Sequence, residues 1–438
     1  MEQSLISYHL FVSYFLFNLA IFIVYPVITD FTMEALCPQK DECALAIYLT
    51  GFQQAITGLG SVFALPLIGS LSDLYGRKTL LTIPFTSFIV PLAILAYSRT
   101  APFVYAFYVT KTLSGIVENS TQCLALAYVA DNISKEKRGS MFGVVIGVGS
   151  AGTLAGTLAA RFLPTAKIFL IAAIISVVAA VYLQLFVKDK SSPSNPLSQP
   201  IMRTEIDRTT IECESSQEIQ AFTKITSFRI VIDLLKSSRT LMLAAFVAFF
   251  DMLAFGGLQS SLFYYLKAVF QFNKDQFAEM MLIAYISATT TQLFFIPMVS
   301  PVMGDKLLLS FGLFSGFMMM LLTSIAWVFW VPFSAALLSF FYFLALPSLC
   351  SIVSKQVGKK DQGMAQGCIL SMASLANIVS PLIYSPLTAL FLSDGAPFSY
   401  PGFSVLCIGL AWLIAFITST MIPSVSSDEI TTADNLEA

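Results

Sequence analysis

Between residues 69 and 81 the chain reads Gly69-Ser-Leu-Ser-Asp73-Leu-Tyr-Gly76-Arg77-Lys78-Thr-Leu-Leu81. Apolar runs flank it, Leu45–Ile68 before and Thr79–Tyr97 after, and neither run contains a charged side chain. A helix of about 20 apolar residues crosses a bilayer. The quoted stretch is therefore the charged turn of a helical hairpin, held at the membrane face by Arg77 and Lys78. Gly69 permits close helix approach, and Gly76 supports a tight turn. Asp73 is placed to cap the helix that starts near Thr79.

The rest of the chain repeats this pattern. Hydrophobic residues make up 56% and charged residues 11% of 438, and the mean hydropathy is +0.78. Soluble domains carry about 25% charged residues, so this chain cannot dress a globular surface and needs a bilayer around it. Its apolar content suffices for roughly twelve spans. Apolar runs predict them at Leu10–Thr29, Leu45–Ile68, Thr79–Tyr97, Phe103–Val129, Met141–Ala160 and Ile168–Val187. A second set is predicted at Leu241–Leu266, Phe277–Val299, Leu307–Ala326, Val331–Val353, Gly363–Leu390 and Phe403–Ile422. Only helices satisfy their own backbone in lipid, and no period-two alternation suggests a barrel. The fold expected is an all-α polytopic membrane protein with twelve transmembrane helices in two six-helix bundles.

The domain plan follows: residues 1–187, a polar central loop 188–239, residues 240–423 and a polar tail 424–438. The loop opens on Ser/Pro-rich Ser191–Pro200, which reads as disordered, and Phe222–Leu235 could lie on the membrane surface. The first apolar run shows no small-residue cleavage pattern and reads as a retained span. If the N-terminus is cytosolic, the short inner loops hold nine basic residues and the outer side six. That balance puts both termini inside and places Asn132-Ile-Ser134 in an inner loop, away from glycosylation. Net charge is −2, which gives no case for nucleic acid.

Three further stretches carry chemistry. In the fourth span Lys111, Gly115, Glu118 and Gln122 fall on one helix face, which should meet a watery cavity or the bundle interior rather than lipid. Lys111 and Glu118 lie two turns apart, about 10 Å along the axis, and are not expected to form a simple ion pair. Asp131 and Arg138 follow, beside the 69–81 turn. The seventh span contains Asp251, a candidate proton acceptor by its depth; the alternative is an acid paired to lysine or arginine. Gly304-Asp305-Lys306 echoes Gly76-Arg77-Lys78, with Pro301 where Asp73 would be, so only the first half keeps a charged latch. There is one histidine, His9, no metal-ligand spacing and no phosphate loop, which argues against an enzyme, a metal site or any cofactor.

The stretch 69–81 resembles the signature loop of the major facilitator superfamily, with Leu74 in place of the usual basic residue. Lys111-Thr-Leu-Ser-Gly115 is similar to that family's fourth-helix motif, and Ala127-Tyr-Val-Ala-Asp131 through Arg138 to a run of tetracycline–proton antiporters. Gly152-Thr-Leu-Ala-Gly156-Thr resembles the antiporter motif with Thr153 for proline, leaving the direction of transport open. With Gly257–Lys267, Leu346–Lys355 and Asp361–Gly367, the whole looks like the hippocampus-abundant-transcript-like carriers. The resemblance implies secondary transport of a small organic solute by alternating access, with protons the candidate coupling ion. An uncoupled facilitator and a transporter-fold receptor without flux are the alternatives.

The resemblance draws the cavity from the first, fourth, seventh and tenth helices. Asn18, Tyr25, Lys111, Glu118, Gln122, Asp251, Gln259 and Tyr342 are the candidates for substrate or coupling. Gly69, Asp73, Gly76, Arg77, Lys78, Asp131 and Arg138 form the gating loop. Cys37 and Cys43 bracket Pro-Gln-Lys-Asp-Glu in an outer loop and are either a disulfide or two free thiols. Expected partners are a small-molecule substrate, protons and the lipid bilayer, with a monomeric chain.

Overall fold

The computed structural model describes residues 2–25, 27–36, 44–164, 167–187, 238–272, 274–358, 361–393 and 396–423. Cys37 and Cys43, residues 188–237 of the central loop and the tail 424–438 lie outside them. All regular elements among the described residues are helical. Among the described residues ten helices are long and apolar enough to cross a membrane, and Tyr8–Val24 is a shorter apolar one. The chain is an all-α, polytopic membrane protein.

In the first half the helices are α1 (Glu2–Val24), α2 (Ile28–Leu36), α3 (Ala44–Tyr75), α4 (Arg77–Ser87) and α5 (Ile89–Tyr97). Then come α6 (Ala101–Glu118), α7 (Ser120–Asn132), α8 (Arg138–Phe162) and α9 (Ile168–Phe186). Two expected spans are thus interrupted. The third breaks at Phe88, whose N–H still reaches Pro84 O at 3.2 Å, because Pro91 and Pro84 thin the backbone bonding around it. The fourth breaks at Asn119, whose side-chain amide is drawn to Ser61 Oγ at 2.7 Å. Helix α2 was not anticipated; its Thr32 hydroxyl meets Tyr108 OH at 3.1 Å.

In the second half, α10 (Arg239–Phe270) is followed by α11 (Lys274–Thr290), a π-turn at Thr291–Phe295 and α12 (Ile296–Met303). The π-turn lies just before Pro297, whose ring would clash with the carbonyl one α-turn back. Thr291 Oγ1 donates to Phe340 O at 2.6 Å there. After α13 (Asp305–Ser324) the tenth span is built of α14 (Val331–Ala336), α15 (Ser339–Tyr342) and α16 (Ala345–Gln356). Helices α17 (Gln362–Phe391) and α18 (Phe403–Thr420) close the described chain.

Among the described residues two glycines have positive φ, Gly76 at 92° and Gly304 at 74°. Each joins one helix to the next across the sharp turn read from the sequence echo. A side chain at either would be strained in that backbone region.

The chain forms two compact units. One comprises Met1–Arg138, Val145–Lys236 and Val357–Leu375; the other comprises Gly139–Val144, Ser237–Gln356 and Ala376–Ala438. Within the first, α8 packs on α1 through glycines: a Cβ at Gly152 would lie 2.8 Å from Phe15 O, and one at Gly156 2.7 Å from Leu19 O. Small residues at such crossings let apolar helices gain van der Waals contact where lipid offers no hydrophobic drive. Within the second, α13 and α18 share the Ser310–Ser419 hydroxyl contact at 2.9 Å. Gly316 there lies against the Trp412 ring.

Candidate functional site

In the first unit the turn after α3 is the centre of a charge network. Arg77 Nε donates to Asp131 Oδ2 at 2.9 Å, Nη1 donates to Ser72 Oγ at 2.5 Å, and Nη2 pairs with Asp73. All three edges of a buried guanidinium are thereby engaged, the geometry that suits arginine over lysine. Asp131 Oδ1 is buried without a partner among the described residues.

Asp73 does not cap the helix that follows it, contrary to the sequence expectation. Helix α3 runs on through Tyr75, so Asp73 is still helical, and α4 starts at Arg77 with no side-chain cap on Gly76. Instead Asp73 Oδ1 and Oδ2 accept from the N–H groups of Gly363 and Met364, each at 3.1 Å and 290 and 291 residues distant in sequence. These are free first-turn donors of α17, and a carboxylate there also meets the positive end of the helix dipole. Gly69 makes this possible, since a Cβ on it would strike the Gly363 carbonyl. Gly367 faces Leu65 O just as tightly, at 2.5 Å from its own ideal Cβ. Gly367→Val should therefore lower the apparent melting temperature through overpacking worth about 1–3 kcal/mol. An unchanged melt of the purified variant would show that α17 can slide without cost.

Lys78 Nζ donates to Gln184 O of α9 at 2.8 Å. Arg138 Nη2 donates to Ala130 O at 3.0 Å, tying the end of α7.

Lys111 and Glu118 do form an ion pair, at 2.5 Å, so the sequence expectation for them is corrected. The axial separation of two turns was right for the backbone. It ignored reach: a lysine and a glutamate pointing toward each other bridge that distance with their own methylenes. Lys111 Nζ also lies 4.4 Å from the Phe88 ring centroid, a cation–π contact. Gln122, one turn beyond Glu118, has a buried Nε2 with no acceptor among the described residues. Asn18 spends its amide on Tyr14 O at 2.8 Å, and Tyr25 is 62% exposed. A groove of about 320 Å³ beside Phe52, Ile56, Tyr105, Tyr108, Val109 and Leu113 has no charged residue in its lining.

In the second unit Asp251 is 1% exposed. Its Oδ1 accepts from Trp412 Nε1 at 2.8 Å and from Tyr342 OH at 3.2 Å. Phe255 stacks on Tyr342 at 6.3 Å. No lysine or arginine among the described residues pairs with Asp251, so the alternative of an acid paired to a basic residue finds no support there. Tyr342 is thus brought to Asp251, whereas Gln259 is exposed. Trp412 was missed by sequence reasoning, although it left a signal: the chain has three tryptophans, and only this one lies deep within a span.

The second unit also holds a latch that the sequence reading denied it. Asp305, the residue after Gly304, accepts from Lys355 Nζ and Ser351 Oγ, both at 2.6 Å, and from Ser300 Oγ at 3.4 Å. Asp305 stands where Arg77 stands in the first half, and Lys355, at the end of the tenth span, matches Asp131 at the end of the fourth. The pair has the opposite sign. Looking for a second aspartate at the Asp73 position therefore missed it. Lys355→Met should destabilise by about 3 kcal/mol, because the Asp305 carboxylate is left buried and unpaired. Adding Asp305→Asn should recover much of that loss in melting temperature. Additive losses in the double variant would mean that the two side chains do not interact.

A model of the Major Facilitator Superfamily matches residues 10–381. The chain belongs to this superfamily. Among its superfamily relatives, the human Hippocampus abundant transcript-like protein 1 is 26% identical over 354 residues, covering 78% of this chain. This chain spans 64% of that relative's length. The class C tetracycline resistance protein of Escherichia coli is 24% identical over 368 residues, covering 83% of each chain. The major facilitator fold is matched in the human organic anion transporter MFSD10, with a TM-score of 0.76 at 18% identity over 96% of this chain and 100% of that one. The Escherichia coli fucose:proton symporter FucP gives 0.70 at 14% identity, covering 96% and 98%. The resemblance read from residues 69–81 and 111–138 holds at the level of the superfamily, with hippocampus-type and tetracycline-resistance relatives both within it.

Proposed function

We propose that this major facilitator chain is a secondary transporter that carries a small organic solute by alternating access and is coupled to protons. The supporting observation is the Asp73–Arg77–Asp131 network closed on the first turn of α17. Its bonds from Asp73 to the N–H groups of Gly363 and Met364 are polar, exchangeable and join residues far apart in sequence, the kind of contact a carrier makes in one state and breaks in another. Two six-helix halves, 1–187 and 240–423, would rock about a site near the membrane midplane, with both termini, the 188–239 loop and the 424–438 tail in the cytosol. The names of the relatives support an organic solute: tetracycline resistance in one, organic anion transport in another. FucP is named a proton symporter, which supports proton coupling. Asp251 is the coupling carboxylate on this reading, held ready by two neutral donors and no cation. Cys37 and Cys43 are proposed as an outer-loop disulfide.

Purified protein in liposomes, tested across a panel of small metabolites with and without a pH gradient, tests the reading. Flux of at least one solute, increased by the gradient, is the expected result. Flux indifferent to pH would leave a facilitator. No flux, with solute-dependent stabilisation alone, would make the chain a receptor.

A further inference from the structure

From Leu307 to Ser354 the chain contains no aspartate, glutamate, lysine, arginine or histidine. The run takes in nearly all of two apolar helical stretches, Asp305–Ser324 and Val331–Gln356, each long enough to cross a membrane. It also takes in the whole turn between them, Ile325-Ala-Trp327-Val-Phe329-Trp330. The other turns that the sequence reading places on this side of the membrane all have charge in or beside them, with Lys40, Arg99, Lys167, Lys274 and Asp394. A charged side chain holds a turn in water because dehydrating it is costly. The 325–330 turn has nothing of that kind. Its aromatic side chains point outward: Trp327 is 71% exposed, Phe329 57% and Trp330 54%. The turn is fixed from behind, where Val331 is buried and Phe333 stacks on Phe272 at 5.4 Å.

Two opposing demands set the level at which such a turn rests. Three large aromatic side chains with no charge among them favour leaving water. The backbone opposes a deeper position. The N–H groups of Trp327, Val328, Phe329 and Trp330 find no acceptor among the described residues, and hydrocarbon offers none. Both indole N–H groups are likewise without an acceptor among the described residues. The boundary between acyl chains and headgroups satisfies both demands, since an indole ring there is in apolar surroundings while its N–H stays among polar groups. Reach agrees: a loop that leaves α13 at Ser324 and returns at Val331 rises about 12 Å at most, given about 3.3–3.6 Å per extended residue.

We infer that the 325–330 turn is a membrane anchor, with Trp327, Phe329 and Trp330 seated at the headgroup–acyl boundary of the leaflet opposite the Gly304 turn. The inference is independent of what the chain transports. Its partner is the phospholipid surface: the two indole N–H groups donate to lipid ester or phosphate oxygens, and Phe329 adds apolar area between them. Helix α13 spans Asp305–Ser324, about 30 Å at 1.5 Å per residue, so the two ends of this hairpin lie at opposite membrane faces. The far end is closed by the Asp305–Lys355 pair at 2.6 Å. The hairpin is thus tied by an ion pair at one face and by lipid at the other, which sets its depth in the bilayer.

Tryptophan emission tests this directly, because the chain has three tryptophans and Trp412 is fully buried. Full-length protein is reconstituted in phosphatidylcholine vesicles whose acyl chains carry bromine, a contact quencher of indole, either close to the headgroup or at the chain end. The double variant Trp327→Phe, Trp330→Phe keeps the apolar area and leaves Trp412 as the sole emitter. Subtracting its signal from that of the wild type gives the emission of the turn. Bromine close to the headgroup should quench that emission about twofold or more, with a much smaller effect from the chain end or from aqueous acrylamide. Strong acrylamide quenching without any effect of bromine would put the turn in water. Quenching strongest from the chain end would put it in the hydrocarbon core. Emission untouched by both bromine and acrylamide would mean that protein covers the turn, in the purified sample a second copy of the chain. Each of these three results overturns the inference.

Discussion

Asp73→Asn should cut transport at least tenfold while leaving the amount of protein in the membrane near normal. The substitution keeps the volume and one acceptor oxygen but removes the charge. Gly363 N–H or Met364 N–H then loses its acceptor, and Arg77, only 6% exposed, keeps Asp131 as its remaining anion. Charge-assisted hydrogen bonds contribute about 1.5–3 kcal/mol each, so losing two shifts the balance between transport states by about 3 kcal/mol or more. That is roughly a hundredfold change in population. Folding should survive, since most of the burial in α3 is apolar packing that the substitution leaves alone. Asp131→Asn should be milder, because Arg77 retains Asp73 and Ser72. The measurement is initial uptake per transporter, with membrane protein quantified in parallel. Full activity in Asp73→Asn would remove the latch from the mechanism.

The second large effect is expected at Asp251. Asparagine preserves an oxygen acceptor for Trp412 Nε1 and Tyr342 OH, so the aromatic cage should close as before. What it cannot do is take and release a proton. Asp251→Asn should therefore abolish proton-driven accumulation while sparing solute exchange, which needs no net proton movement. A pH difference of one unit supplies about 1.4 kcal/mol per proton, enough for about tenfold accumulation at 1:1 coupling. In the variant that ratio should fall to about one. Should it still accumulate solute under the gradient, Asp251 is structural and Glu118 carries the coupling alone.

Sequence by itself determined the membrane class, the positions of the spans and the sharp turns at Gly76 and Gly304. The bilayer makes these one-dimensional properties: a run is apolar for long enough or it is not, and a positive φ asks for glycine wherever it occurs. The same reading singled out Asp73, Arg77, Asp131, Lys111, Glu118 and Asp251, because a charge in or beside an apolar run is conspicuous. Partner choice was decided by tertiary structure. Asp73 turned from its own neighbouring helix to the first turn of α17, 290 residues away, because α3 continues past it and Gly69 lets the α17 backbone approach. Lys111 met Glu118 because side-chain reach, not axial rise, sets the distance between charges. Asp305 found Lys355 rather than a basic residue in its own turn, and Trp412 found Asp251 from 161 residues further on. A hydrogen bond acts over about 3 Å, and which groups come within that range depends on how whole helices pack.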